Sequence, residues 1–288
     1  MARYVKELKM SIKIVTDSTC DLPQGIIDQY QIKVVPLYIN IGDEGYLDQV
    51  EISRKTFYEN LPDYPVQPTT GTPGIQAFQE AYQSLADEGA THILSIHISE
   101  SLSATVDVAR MAAEQFTAVP VTVLDSQQLS MGTGFAVLTA AQLIEAGEPL
   151  ERVLEAVQDQ MARTHVFAAL DTLEFLRRSG RLNGVVSGIG SLLQLKPILT
   201  MNKGVADSVR VRTSKKAFRK VIGMLKENMP IEKVALLHTN AVESAHKLVE
   251  MAAGLLPEGE VDLMDITPVI GAHIGPGAAG FAIVTAKE

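Results

Sequence analysis

Strand-like and helix-like patterns alternate almost without interruption through the first half of this chain, and that alternation limits the possible folds more than any other feature. Short β-branched runs at residues 13–16, 33–39, 92–98 and 119–124 have the length and composition of strands. Between and after them, apolar residues recur at helical spacing. Ile75, Phe78, Ala81, Tyr82 and Leu85 share one face, Val106, Ala109, Ala113 and Phe116 a second, and Leu150, Val153, Leu154, Val157 and Met161 a third. Strands that alternate with helices return in parallel, so residues 11–163 are expected to form a mostly parallel α/β/α domain.

The second half has a different rhythm. Strand-like runs at residues 165–170, 196–201, 206–211, 234–238, 261–267 and 281–285 are separated by fewer helices, which predicts a mixed or antiparallel sheet in a C-terminal α/β domain of residues 164–288. The fold class is therefore α/β with two α/β domains, divided near Arg163. No proline- or serine-rich linker marks the division, so the two parts are expected to pack closely with the ligand at their interface. Residues 1–10 read as an N-terminal extension.

Composition narrows the function classes. Of 288 residues 46% are hydrophobic, enough for substantial cores, and 34 acidic against 25 basic side chains leave a net charge of -9. That balance argues against a nucleic-acid partner, which needs a basic footprint. A single cysteine, Cys20, excludes an internal disulfide framework and a thiolate zinc cluster. His92 and His97 are an odd number of positions apart in one strand and face opposite sides, so they form no metal pair. Asp17 and Asp125 read as strand-end turn residues, and no metal or cofactor is expected. The chain opens without an apolar signal region and has no run approaching the ~18 to 20 residues of a membrane span, so a cytoplasmic location is expected.

Several loops carry chemistry. Residues 270–280, IGAHIGPGAAG, hold His273 among glycines between two apolar runs and read as a loop built for close approach of backbone to ligand. Taken alone, the segment is equally a tight structural connection. In VQPTTGTPGIQAF, Thr72 before Pro73 reads as a helix N-cap, with Thr69 and Thr70 just ahead of it. In SIHISESLSATVDVA, Ser99, Ser101 and Ser103 lie between a strand and the next helix. Hydroxyls and unpaired N–H groups at such places favour an anion, although capping alone accounts for them. Two basic clusters stand out in an acidic protein: Arg177, Arg178 and Arg181 around a helix end that begins with an Asp171-Thr172 cap, and Arg210, Arg212, Lys215, Lys216, Arg219 and Lys220 farther on. Each alone is more simply a solvated face.

Eight segments in order, TDSTCDLP, QPTTGTPG, ISESLSAT, LDSQQLSMGTG, DTLEFLRRSGRL, LKPIL, VRTSKKA and GAHIGPGA, resemble the DegV family over nearly the whole chain after Met10. The resemblance implies a two-domain α/β protein, not itself an enzyme, that binds a long-chain fatty acid and presents its carboxyl group to a separate fatty acid kinase for acyl-phosphate formation, in the service of phospholipid metabolism. Carried over position by position, it implies that Thr70, Ser99 or Ser103, and His273 hold the carboxylate, while Arg181 and Arg212 suit partner docking or the transferred phosphate. Gly71, Thr72, Gly74, Glu100 and Ala104 depart from the family's loops.

The chemistry of these residue types fits. An ionised carboxylate only accepts hydrogen bonds, so threonine and serine hydroxyls with a histidine N–H form a suitable donor set. The tail is expected in a tunnel, for which the apolar residues 135–143 and 185–195 are candidates unless they are simple core. No transmembrane segment is expected, and transient membrane contact is compatible with a lipid cargo. The chain lacks a G-x-x-x-x-G-K-[ST] loop, residues 184–190 do not spell G-x-G-x-x-G, and there is no G-x-S-x-G elbow. The competing reading is an acyl ester hydrolase that uses His273 and a hydroxyl residue.

Overall fold

The computed structural model describes residues 11–181, 195–257, 259 and 261–287. Strands β1 (Ile12–Asp17), β2 (Lys33–Val35), β3 (Tyr38–Ile41), β4 (Glu44–Leu47), β5 (Thr69–Gly71), β6 (His92–His97) and β7 (Val121–Asp125) alternate with helices α1 (Gln24–Gln29), α2 (Arg54–Asn60), α3 (Ile75–Asp87) and α4 (Thr105–Gln115). Helices α5 (Met131–Glu145) and α6 (Leu150–Ala162) then lead to β8 (Thr164–Ala169), α7 (Glu174–Arg178), β9 (Lys196–Asn202), β10 (Val205–Val211), α8 (Ser214–Glu227), β11 (Ile231–His238), α9 (Val242–Met251), β12 (Asp262–Asp265), α10 (Pro268–Ile274) and β13 (Ala279–Thr285).

A four-stranded parallel sheet has the order β2-β1-β6-β7, and a six-stranded mixed sheet the order β10-β9-β8-β13-β11-β12, in which only β11 and β12 are parallel. The side-chain period of two decides what each sheet covers. On the parallel sheet, Val15 and Ile93 face α3 and α4, packing on Phe78, Tyr82, Leu85 and Ala109. Ile12, Ile14, Leu94 and Ile96 face α5 and α6. Those two helices also meet Val166, Ala168, Leu237 and Ala282 of the six-stranded sheet, so a single core runs between the sheets. Helix α5 is apolar on nearly every side because it is buried from both. On the far face of the six-stranded sheet, Phe167, Ile198, Leu236 and Phe281 pack on Phe218, Val221, Leu225 and Leu248 of α8 and α9.

Three local readings of the sequence need correction. The run at residues 33–39 is not one strand: Pro36 has no N–H for a ladder, and the chain leaves β2 there to enter β3 of a separate sheet. That three-stranded antiparallel sheet, β4-β3-β5, has strands of three or four residues, too short for the sequence pattern to reveal. Thr72 is not an N-cap, since the helix starts at Ile75 after Gly74 and Thr69–Gly71 is strand β5. The glycine-rich segment is not a loop throughout: residues 268–274 form α10, with Thr267 as N-cap and Pro268 in the first turn.

Candidate functional site

A cavity with about 1280 Å³ free of protein atoms, part of it open to solvent, lies against the near face of the six-stranded sheet. Its floor is Val166, Ala168, Leu199, Met201, Ala206 and Leu237 from β8, β9, β10 and β11. Ile266, Val269, Ile270 and Ile274 wall it from the α10 side, Ile98 and Leu102 from the β6–α4 loop. Among the described residues, the polar groups that reach it are few: Thr70 and Thr72, Ser103, Ser130, Thr200, Arg181 and His273. Residues 135–143 do not line this cavity; they belong to α5, whose Phe135, Ala136, Val137, Ala140 and Ala141 are core between the sheets. Of the second expected tunnel segment, residues 185–194 lie outside the described residues.

Thr70 and His273, 203 positions apart, meet with Oγ1 and Nε2 at 2.9 Å. Thr70 is brought there by β5, which pairs with β3 at Ile39. His273 is brought by the last turn of α10, which packs on the three-stranded sheet through Val269 and Ala272 against Leu37, Ile39, Phe57 and Tyr58. The helix stops at Gly275, where φ is 75° and an added Cβ would lie 2.3 Å from Cδ2 of Phe175. Earlier in the helix, a Cβ on Gly271 would lie 2.2 Å from Oη of Tyr58, whose hydroxyl donates to the Ile266 carbonyl.

Burial, and then the charge of Arg181, push the His273 imidazole down to about 4, so it is neutral near pH 7. A neutral imidazole carries one N–H, and Nδ1 of His273 is buried without a hydrogen-bond partner. Among the described residues, no carboxylate orients it. A different histidine does have the connectivity of a relay: Nε2 of His97 lies 2.6 Å from Ser95 Oγ, and Nδ1 lies 3.0 Å from Asp17 Oδ2. All three of those side chains are fully buried and none lines the cavity. Asp17 is thus more than a turn residue, for it also accepts from the Thr19 and Ile98 N–H groups. Among the described residues, no cluster of three His, Cys, Asp or Glu could hold a metal ion.

The two serines offered as alternatives part company. Ser103 lines the cavity just before α4, its Oγ 2.8 Å from that of Thr105. Ser99 is fully buried and does not reach the cavity; its Oγ lies 3.0 Å from that of Ser101 and its N–H donates to the Gln128 carbonyl. Arg181 lines the cavity, with a guanidinium N–H donating to the Ser179 carbonyl. Arg212 is exposed just past β10 and is not part of the cavity wall. Arg177 and Arg178 both pair with Glu174 on the surface of α7. Sequence reasoning passed over Ser130 and Thr200. Ser130 lies within LDSQQLSMGTG, one of the eight family-like segments, which is the signal that points to it, whereas nothing in the local pattern around Thr200 distinguishes a strand residue over a cavity. No described helix is long and apolar enough to cross a membrane.

A family model described as "Uncharacterised protein, DegV family" matches residues 11–286. A DegV domain-containing protein of Listeria innocua is 34% identical over 273 residues, 93% of this chain and 96% of its own. Protein DegV of Bacillus subtilis is 32% identical over 277 residues, 94% and 98% of the two chains. Among solved structures, the fatty acid binding DegV family protein of Thermus thermophilus superposes with a TM-score of 0.87 at 36% identity, covering 96% of this chain and 100% of that one. DegV of Bacillus subtilis, described as a fatty acid binding protein, superposes with a TM-score of 0.87 at 31% identity over 96% and 100% of the chains.

Proposed function

The chain belongs to the DegV family, and from that premise, and because two similar proteins are described as fatty acid binding, we propose that it binds one long-chain fatty acid, tail in the apolar cavity and carboxylate beside Thr70, Ser103 and His273. The observation that carries this reading is the 2.9 Å contact between Thr70 and His273 at the edge of a cavity whose remaining wall is almost wholly apolar. With the imidazole neutral, an N–H on Nε2 donates to Thr70 Oγ1 and leaves the threonine O–H free to donate to a carboxylate oxygen. The tail supplies the affinity: each buried methylene contributes about 0.8 kcal/mol, so some fifteen contribute roughly 12 kcal/mol before ordering costs.

In this reading the protein is a cytoplasmic carrier rather than a catalyst. It offers the carboxyl group at the interface of units 11–163 and 164–288 to a separate fatty acid kinase, which docks over Arg181 and Arg212. Mass spectrometry after organic extraction of the native protein tests the cargo: a co-purified fatty acid is expected. Its absence, with no binding of added palmitate or oleate, refutes the proposal. For the partner, Arg212→Ala should leave palmitate binding intact and impair phosphorylation by the kinase. Loss of lipid binding, or unimpaired phosphorylation, refutes the docking role of Arg212. The hydrolase reading has the weaker support, because among the described residues no carboxylate orients His273. Release of acid from a generic ester, lost in His273→Ala, would reverse that preference.

A further inference from the structure

Three chain segments that carry polar groups of the cavity have no reason in their own sequence to lie together. Thr70 belongs to the three-stranded sheet, Ser130 to the turn before α5, and His273 to α10. One fully buried side chain from elsewhere bonds to two of these segments, at Ser130 and at the start of the helix that carries His273, and to helix α2 besides. Asp21, in the TDSTCDLP segment to which the function above gives no role, accepts from Ser130 Oγ at 2.6 Å, from the Thr267 N–H at 2.9 Å and from a guanidinium N–H of Arg54 at 3.0 Å. Thr267 is the N-cap of the helix that carries His273 in its last turn. Arg54 begins α2, in the excursion between β4 and β5, and its second amino group donates to the Asp265 carbonyl at 2.6 Å.

We infer that Asp21 is the positioning residue of the head-group site, setting the relative placement of Ser130 and His273 through its bonds to Ser130 and Thr267, with Arg54 as its third partner. The inference rests on the fatty acid reading and names the residue that gives that site its shape. Two features set this carboxylate apart from an ordinary buried pair. Ser130 holds φ 52° and ψ -141°, a backbone conformation that L residues seldom adopt and that persists only where neighbours impose it. Asp21 itself stands at φ 54°, tolerable for Asp, so that its carboxyl turns back under the cavity wall. Burial pushes its carboxyl up to about 7 against the opposing pull of Arg54, Ser130 and Thr267. A group held at that cost and bonded to three separated segments constrains them in a way that a hydrophobic contact, which tolerates sliding, does not.

The test separates head from tail by comparing palmitate with 1-hexadecanol, which has the same chain and no carboxylate. Wild-type protein should bind palmitate the more tightly. Asp21→Ala should weaken palmitate by about tenfold or more while hexadecanol stays within about twofold, because the apolar floor is untouched. Asp21→Asn should hold palmitate within about threefold, since the amide oxygen still accepts from the Thr267 N–H and the amide N–H can donate to Ser130. Arg54→Gln should repeat the selective loss, and it decides the matter if Asp21→Ala does not fold. Equal losses for both ligands would mean general loosening and overturn the inference. So would an unchanged palmitate affinity, or a wild type that does not distinguish the two ligands. A wild type that binds neither ligand would instead sink the fatty acid reading itself.

Discussion

Ala168 sits on β8 in the cavity floor, opposite Leu199 of β9 and Gly280 of β13, and replacing it by phenylalanine should shorten the acyl chain the protein accepts. Its side chain points at the cavity rather than at α8. A phenyl ring there excludes about four methylenes of a bound tail. At about 0.8 kcal/mol each, the loss for palmitate is about 3 kcal/mol, or about 200-fold in dissociation constant. Decanoate, which leaves the far part of the cavity empty, should lose less than about threefold. Calorimetric titration of both acids into wild type and Ala168→Phe measures the contrast, with circular dichroism to confirm that the fold is kept. Equal weakening of decanoate and palmitate, or none for either, would refute the placement of the tail over Ala168.

Thr70→Val keeps the side-chain shape and removes the hydroxyl, so palmitate should bind about tenfold less tightly by titration, while hexadecanol binding holds. Gly275→Val forces a β-branched residue into φ 75° and against the Phe175 ring, and its melt should reveal a loss of about 3 kcal/mol or more. With its folded pKa lowered to about 4, below the unfolded value of about 6.5, His273 takes up its proton first in the unfolded chain. Its contribution to stability is therefore complete above about pH 6.5 and is lost as pH falls from there toward about 4. Denaturant titrations of wild type and His273→Gln should have the smaller pH dependence in the variant across that window, and a His273 NMR resonance titrating above about pH 6 would contradict the argument.

The long elements were legible because their burial is periodic. Helix α3 buries Phe78, Ala81, Tyr82 and Leu85, and α6 buries Val153, Val157 and Met161, the faces their spacing predicts. The short ones were not. A three-residue strand such as β5 contains at most one full alternation, and Thr72-Pro73 imitates a helix start without being one. Residues 270–280 misled for a related reason: glycines permit turns but do not require them, and Thr267 with Pro268 begins a helix upstream of the segment that drew attention. Among the candidate site residues, Thr70, Ser103, Arg181 and His273 were named from the motifs and all touch the cavity. Ser99 was named with them and turns into the protein, since choosing between two hydroxyls four residues apart depends on the path of an irregular loop.

Residue order alone determined the α/β class, the parallel first sheet, the mixed second one and the small set of hydroxyl, imidazole and guanidinium groups available to meet an anion. Those properties follow from local periodicity and side-chain chemistry. Only the tertiary structure decided that the two sheets share α5 as a common core, that a cavity opens over Ala168 and Leu237, and that Thr70 reaches His273 across 203 positions. It also decided the place of Asp21, which has no role of its own in the sequence reading and in space joins three segments under the cavity wall. Such contacts depend on which surfaces can close together without voids or unpaired polar groups, a condition on the whole chain that no window of neighbouring residues expresses.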